Sequence, residues 1–338
     1  MKRKIKVIQF GVGDIGENIV KALLQKDHSF ELVGAVDNNP KKIGKDIGVL
    51  IGYEGLVGVV VSPDLQHIKR KADIAIHTSV SFLPEASNQV IELLKSGYNV
   101  ISTAEELFFL EKRDRNKFNY INSLAKRNHL RVLVSGVNPG YVLDTLVLVA
   151  SAPVIMINSI RAERTINLSH RRLALQRKLG VGLSKYEFSE QSSLSPHFGP
   201  VGLTDSADFV LHHLNMKYDT LRSVTHPIIA DHDYKDDNIF VARDHVLGVR
   251  QEVIAMRGDE EILSFRLTMR IDSPIEYDHI FIDGEPPVNI VINNGIMGDK
   301  ATVGIVLNLI PILLDLSPGF HTVANIRLPH HFNYDHTA

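Results

Sequence analysis

Apolar residues in the first part of the chain fall in short runs separated by amphipathic stretches. Ile5–Phe10, Glu31–Val36, Gly58–Val61, Asp73–His77, Asn99–Ser102 and Leu130–Val134 read as strands. Pro84–Lys95 and Glu111–Arg127 read as helices, the first with proline in its opening turn. Alternating strands and helices predict an α/β domain, a Rossmann doubly wound parallel sheet, over residues 1–146. The pattern then changes. Asn158–Ile166, Arg222–Ile229, Val246–Met256, Glu261–Ile271 and Val288–Ile292 are extended, with turn signals at Arg257-Gly258-Asp259 and Asp283-Gly284. Helices are expected near His170–Lys178 and Asp205–Leu214. Residues 147–299 therefore read as a second α+β domain on a mixed or antiparallel sheet, serving substrate and oligomerisation. A last helix, about Ala301–Leu314, is apolar nearly all round and stops before Ser317-Pro318-Gly319. Residues 300–338 are expected to pack back between the domains.

The turn after the first strand carries the most specific local signal. Gly11, Gly13 and Gly16 form G-x-G-x-x-G between a strand and a helix. Such glycines serve a tight turn, the approach of a pyrophosphate and close helix–strand packing. Asp14 and Ile15 open the helix, where free N–H groups favour phosphate. Asp37 ends the second strand 21 residues after Gly16, at the place where a carboxylate accepts from ribose hydroxyls. These features imply a bound dinucleotide. Asp37 opposes a 2′-phosphate, and Lys41 and Lys42 could compensate, so NAD is the expected cofactor with NADP possible.

Composition narrows the classes further. With 37 basic and 39 acidic residues, the net charge of −2 and the absence of single-sign blocks argue against nucleic acid or an anionic membrane as partner. There is no cysteine, which removes disulfides and thiolate chemistry. The longest apolar runs, Leu146–Ile157 and Val303–Leu314, fall short of the ~20 residues of a membrane helix. A cytoplasmic location is expected. Sixteen histidines invite a metal reading, but His212-His213 and Asp231-His232-Asp233 lack a ligand spacing, and no metal site is expected.

Several motifs in order, GVGDIG, VGAVDNNPKKIGKDIG, NVISTAEEL, SGVNPGYVLD, GIMGDKATVGIVLNLIP and SPGFHT, resemble the 2,4-diaminopentanoate dehydrogenases and related NAD(P)-dependent amine dehydrogenases. That family has a dihydrodipicolinate-reductase-like Rossmann domain. The resemblance implies oxidative deamination of a small-molecule amine or diamino acid to a ketone, with hydride passing to nicotinamide and ammonia released.

Amine oxidation needs a base and a hydride acceptor close to the reacting carbon. Glu105 and Glu106 follow the strand Asn99–Ser102 on the ligand edge of the sheet, and either is a candidate base. Asn138, in the rigid Asn138-Pro139-Gly140 loop, offers both donor and acceptor to a substrate near the nicotinamide, with Gly140 beside it. Thr78 and Ser79 bracket the cofactor after the fourth strand. Asp144 reads either as a substrate-amine partner or as the cap of the next helix. His197 lies in a loop resembling the family's substrate segment and is a candidate for a substrate carboxylate. The substrate sheet is expected to form a homodimer. Two alternatives remain: an imine or enoate reductase of the dihydrodipicolinate reductase type, suggested by His170, Arg171 and Arg172, and a non-catalytic dinucleotide sensor.

Overall fold

The structure is a computed structural model that describes residues 3–169, 171, 173–195, 198–236 and 239–332. It divides into two compact units, residues 1–140 with 297–338, and residues 141–296.

The first unit opens with β1 (Ile5–Phe10), α1 (Asp14–Gln25), β2 (Phe30–Val36), α2 (Ile47–Ile51), β3 (Val61–Ser62), β4 (Ile74–His77), α3 (Leu83–Lys95) and β5 (Asn99–Ser102). It continues through α4 (Leu110–Arg113), α5 (Arg115–Arg127) and β6 (Arg131–Val134). The long helix expected over 111–127 is thus broken at Asp114. That residue leaves helical geometry, and its carboxylate accepts from Lys117 N to cap α5.

The second unit contains α6 (Thr145–Ser151), β7 (Met156–Asn167), α7 (Leu173–Lys178), α8 (Lys185–Leu194), α9 (Leu203–His213) and β8 (Thr220–Ile229). After a small hairpin, β9 (Tyr234–Lys235) with β10 (Phe240–Val241), come β11 (Val246–Arg257), β12 (Glu260–Arg270), β13 (Tyr277–Glu285) and β14 (Val288–Asn293). The chain returns to the first unit with α10 (Gly298–Asp315) and β15 (Gly319–His321).

The first sheet has seven strands in the order β15-β6-β5-β4-β1-β2-β3, and every pairing is parallel. Sheets of this kind bury both faces, which is why their strands read as near-continuous apolar runs. One core joins Val7, Ile74, Ile76, Ile101 and Leu133 of the strands to Ile19 and Leu23 of α1 and to Val306, Leu309, Ile310 and Leu313 of α10. The closing helix, expected between the domains, therefore has its apolar surface in the core of the first unit. It is apolar nearly all round because sheet and helix neighbours surround it. The short β15 then pairs with β6 and extends the sheet by one strand.

The second sheet is mixed, in the order β14-β13-β7-β12-β11-β8. β7 and β12 run parallel and the other pairs antiparallel. Its strands alternate. Ile160, Ala162, Ile280, Ile282, Val249 and Val253 are buried on the face that meets α6 and α9, while Arg161, His279, Phe281 and Arg250 lie on the other. On that second face the register sets Glu252, Arg266 and Glu163 side by side. Arg266 donates to Glu252 and to Glu163, each at 2.8 Å, and Tyr277 Oη donates to Glu163 at 2.9 Å.

Candidate active site

In a parallel sheet all carboxyl ends lie along one edge, and here the loops after adjacent strands are stitched together there. Gly11 N donates to Val36 O, Thr78 N to Phe10 O, Thr103 N to His77 O and Ser135 N to Ser102 O, at 2.8–3.0 Å. The loops after β2, β1, β4, β5 and β6 therefore form one continuous row. The strand order reverses around β1, so this row includes the topological switch point where open α/β sheets bind ligands.

The glycine loop sits at that point, and its three glycines answer to different constraints. Gly11 has φ +92°, and a Cβ there would lie 2.5 Å from the Ser79 backbone, so the turn closes against the next loop. A Cβ at Gly16 would lie 2.1 Å from Gly11 O, which fixes the helix close to the turn. Gly13 faces open space, with no heavy atom within 4 Å of a Cβ. That opening, at the start of α1 with exposed Asp14 and half-buried Ile15 following, fits a pyrophosphate resting on helix N–H groups. Asp37 stands beside it, its Oδ2 accepting from Val12 N and its Oδ1 from Asn39 N, both at 2.8 Å. These residues fit a dinucleotide.

Thr78 and Ser79 are held by two side chains not singled out from sequence. Gln9 Nε2 donates to Gly11 O and to Thr78 Oγ1, each at 2.8 Å, and Thr78 Oγ1 donates to Gly11 O at 2.8 Å. His77 is buried. Its Nδ1 meets Ser102 Oγ at 2.8 Å and its Nε2 meets Gln89 Oε1 at 2.7 Å, with Ser79 Oγ 3.0 Å from that same nitrogen. Burial pushes the imidazole down to about 4, partly offset by its bond to Gln89. The available signal was a polar residue inside an apolar strand: Gln9 in VIQF and His77 at the end of IAIH.

The structure separates the two adjacent glutamates. Glu106 Oε2 accepts from Leu83 N at 2.7 Å, at the start of α3, and its Oε1 accepts from Arg113 at 3.1 Å. It serves as a cap and ion-pair partner. Glu105, one residue earlier, keeps a buried Oε2 with no hydrogen-bond partner. A buried carboxylate oxygen left unpaired is costly, and a catalytic role is one reason for such an exception to persist. Asn138, in the loop after β6, likewise has a buried Oδ1 without a partner.

That loop is built tightly. A Cβ at Gly140, whose φ is +128°, would lie 2.3 Å from Gly136 N. Thr302 Oγ1 of α10 accepts from Val137 N at 3.3 Å, and a Cβ at Gly298 would lie 3.8 Å from Val137. Gly298 and Thr302 of the GIMGDKAT segment thus reach the Asn138 loop within the first unit. Asp144 is different: it is fully buried, with Oδ1 accepting from Thr145 N and Oδ2 from Ser206 Oγ at 2.9 Å. The cap reading holds for it and the substrate-amine reading does not, because both oxygens are engaged and closed off from solvent. Arg171 pairs with Glu276 at 3.2 Å. His197, His170 and Arg172 lie outside the described residues. Among the described residues, no helix is long and apolar enough to cross a membrane, and no three His, Asp or Glu side chains cluster as metal ligands would.

Comparison with known proteins adds to this geometry. The family model described as 2,4-diaminopentanoate dehydrogenase C-terminal domain matches residues 141–337, and that for the dihydrodipicolinate reductase N-terminus matches residues 5–104. A 2,4-diaminopentanoate dehydrogenase from Acetoanaerobium sticklandii is 27% identical, covering 96% of this chain and 94% of its own. An amine dehydrogenase from Streptomyces virginiae is 21% identical, covering 96% of both chains. The solved structure of an amine dehydrogenase from Mycobacterium smegmatis has the same fold, with a TM-score of 0.86, 21% identity and 98% of both chains covered.

Proposed function

The chain belongs to the 2,4-diaminopentanoate dehydrogenase family, and from that membership we propose that it oxidatively deaminates a small amine or diamino acid, such as 2,4-diaminopentanoate, with NAD as cofactor. The family-model match to dihydrodipicolinate reductase covers only residues 5–104, and the fuller likeness to a solved reductase, at 11% identity, is one of fold alone, whereas the 2,4-diaminopentanoate dehydrogenase match extends over 141–337. An oxidoreductase acting on a CH–NH2 group is therefore favoured over an imine or enoate reductase. The observation that carries the site assignment is the unpartnered, buried Oε2 of Glu105, against the fully engaged Glu106.

In this reading Gly11, Gly13, Gly16 and the first N–H groups of α1, at Asp14 and Ile15, hold the pyrophosphate. Asp37 accepts from the ribose hydroxyls, and Thr78 and Ser79 flank the nicotinamide. The bound nicotinamide supplies the hydride acceptor. Glu105 takes a proton from the substrate ammonium, freeing the nitrogen lone pair that drives hydride departure from the carbon. After passing that proton to solvent, the carboxylate takes one from the water that adds to the resulting iminium carbon and returns it to the nitrogen, which then leaves. Collapse of the carbinolamine releases ammonia and leaves the ketone. Asn138 orients the substrate through its free Oδ1, beside Gly140.

The open face of the mixed sheet supports a homodimer. It carries a polar row, Glu252, Arg266 and Glu163, between Val224 at one edge and Val291 at the other, both exposed. Sedimentation equilibrium tests that assembly.

The activity is tested by following nicotinamide reduction at alkaline pH with NAD or NADP. The panel is 2,4-diaminopentanoate, other diamino acids, α-amino acids and simple amines. Reduction with one amine supports the reading. Silence on every amine and on ketone with ammonia, with reduced nicotinamide consumed only by a cyclic imine or an enoate, transfers it to the reductase class.

A further inference from the structure

We propose that the ion pair between Lys42 and Glu17 is a cofactor-selection lock, which withholds Lys42 from a ribose 2′-phosphate and makes the chain take NAD over NADP. The inference rests on the dinucleotide site of the preceding section and adds the residues that set its choice.

The lock is built around one peptide group. Val12 lies between the first two glycines, and both of its backbone groups are gripped from the β2 side. Asp37 Oδ2 accepts from Val12 N at 2.8 Å, and Lys42 Nζ donates to Val12 O. The same Nζ meets Glu17 Oε1 at 3.1 Å, so the lysine is anchored on the glycine loop and neutralised by the first turn of α1. The side chains of Lys42 and Glu17 are 21% and 27% exposed, which shields the pair from solvent more than an open surface contact.

A 2′-phosphate would enter beside Asp37, where it meets a carboxylate already fixed by two backbone N–H groups. Discrimination by charge therefore depends on whether a cation is free to answer. Lys42 is close enough through Val12, but its donors point to Val12 O and Glu17. Lys41, its neighbour, is exposed, and its backbone N–H donates to Asn39 Oδ1. Glu17 thus decides selectivity without itself touching the nucleotide: it acts through Lys42 as a positioning residue.

The test is calorimetric binding of NAD and of NADP to the full chain, with no amine present. The quantity read is the ratio of the two affinities. The wild type is expected to bind NAD more tightly. Glu17→Gln shifts the ratio toward NADP by about fivefold, the scale of one partly shielded ion pair. Adding Lys42→Met to Glu17→Gln returns the ratio to the wild-type value, whereas Lys42→Met alone leaves it unchanged because the lysine was already withheld. Lys41→Met on the Glu17→Gln background keeps the gain.

Three results overturn the lock: equal affinities in the wild type, a ratio indifferent to Glu17→Gln, or a gain removed by Lys41→Met and kept with Lys42→Met. The last would mean that Lys41, not Lys42, answers the 2′-phosphate, and equal loss of the gain with either lysine change, which also overturns the lock, would mean that net charge alone sets the ratio. If neither nucleotide binds, the dinucleotide reading falls together with the lock. If both bind with a ratio that no variant moves, only the lock falls.

Discussion

The two sheets solve the burial problem in opposite ways, and the difference shows in where their polar groups collect. The parallel sheet uses strands of two to seven residues, covered on both faces, so its polar groups are crowded into loops along one edge. The mixed sheet uses strands of up to 12 residues and leaves one face open, where charged side chains pair across the register. Unpaired buried oxygens at Glu105 and Asn138 occur on the first sheet's loop edge. In the second unit the largest fully buried side chain is Arg164, and it is satisfied: both Asp278 oxygens accept from it at 2.9 and 3.0 Å, and Ile296 O accepts as well. Burial raises the Asp278 carboxyl above its usual range, and Arg164 with the Ile296 N–H offsets part of that. One region leaves a carboxylate oxygen unpartnered on its loop edge, where the proposed site lies. The other pairs its buried Arg164 with Asp278, and its unpartnered buried side-chain oxygens, among the described residues, are those of the neutral amides of Gln176 and Gln251.

The contrast is most exposed to failure at Glu105. Glu105→Gln is expected to lower turnover by about 10²–10⁴-fold with little change in the unfolding midpoint. Glu106→Gln should retain turnover and lose about 1 kcal/mol of stability as the α3 cap weakens. Kinetics and urea unfolding of both variants read this directly, and the reverse pattern would exchange their roles.

In the second unit the expected effects are on stability alone. Arg164→Met should cost about 3–5 kcal/mol, because it strands the Asp278 carboxylate in the interior. Urea titration of the variant and of the double change with Asp278→Asn measures it. The double variant should recover part of the loss.

His77 supplies a pH test of the first sheet. Its folded value, about 4, lies below its ordinary 6.5, so the unfolded chain binds more protons between those values. The stability it contributes is complete above pH 6.5 and is lost as pH falls toward 4, by about 3 kcal/mol in total. Comparing unfolding free energies of wild type and His77→Gln from pH 7 to 4 isolates this slope.

The smallest effect is expected on the open face. Arg266 is 42% exposed, so Arg266→Ala should change protomer stability by less than about 1 kcal/mol. Its larger signature should be a weaker dimer in sedimentation. A variant dimer as tight as the wild type would remove this face from the interface.

The glycine loop was legible because its constraints are local: each glycine answers to atoms within a strand, a turn and a helix. The strands of the parallel sheet were legible because burial on two faces leaves apolar runs, and Asn99–Ser102 was placed to the residue. Four strands escaped, among them the two-residue β9 and β10. β13, YDHIFIDGE, buries Asp278 and turns Phe281 toward the open face, which spoils its polar–apolar alternation, and β15 has three residues whose partner strand lies far back in the chain. Long-range partners also decided the side chains. Glu105 and Glu106 are equivalent in sequence, and only Leu83 N and Arg113 separate them. Asp144 is taken from solvent by Ser206, 62 residues on. Sequence alone determined the fold class, the dinucleotide fingerprint and the edge on which the parallel sheet gathers its loops, because those follow from periodicity and from sterics over a few residues. Tertiary structure alone decided which carboxylate stays free, since a hydrogen bond depends on where distant donors arrive.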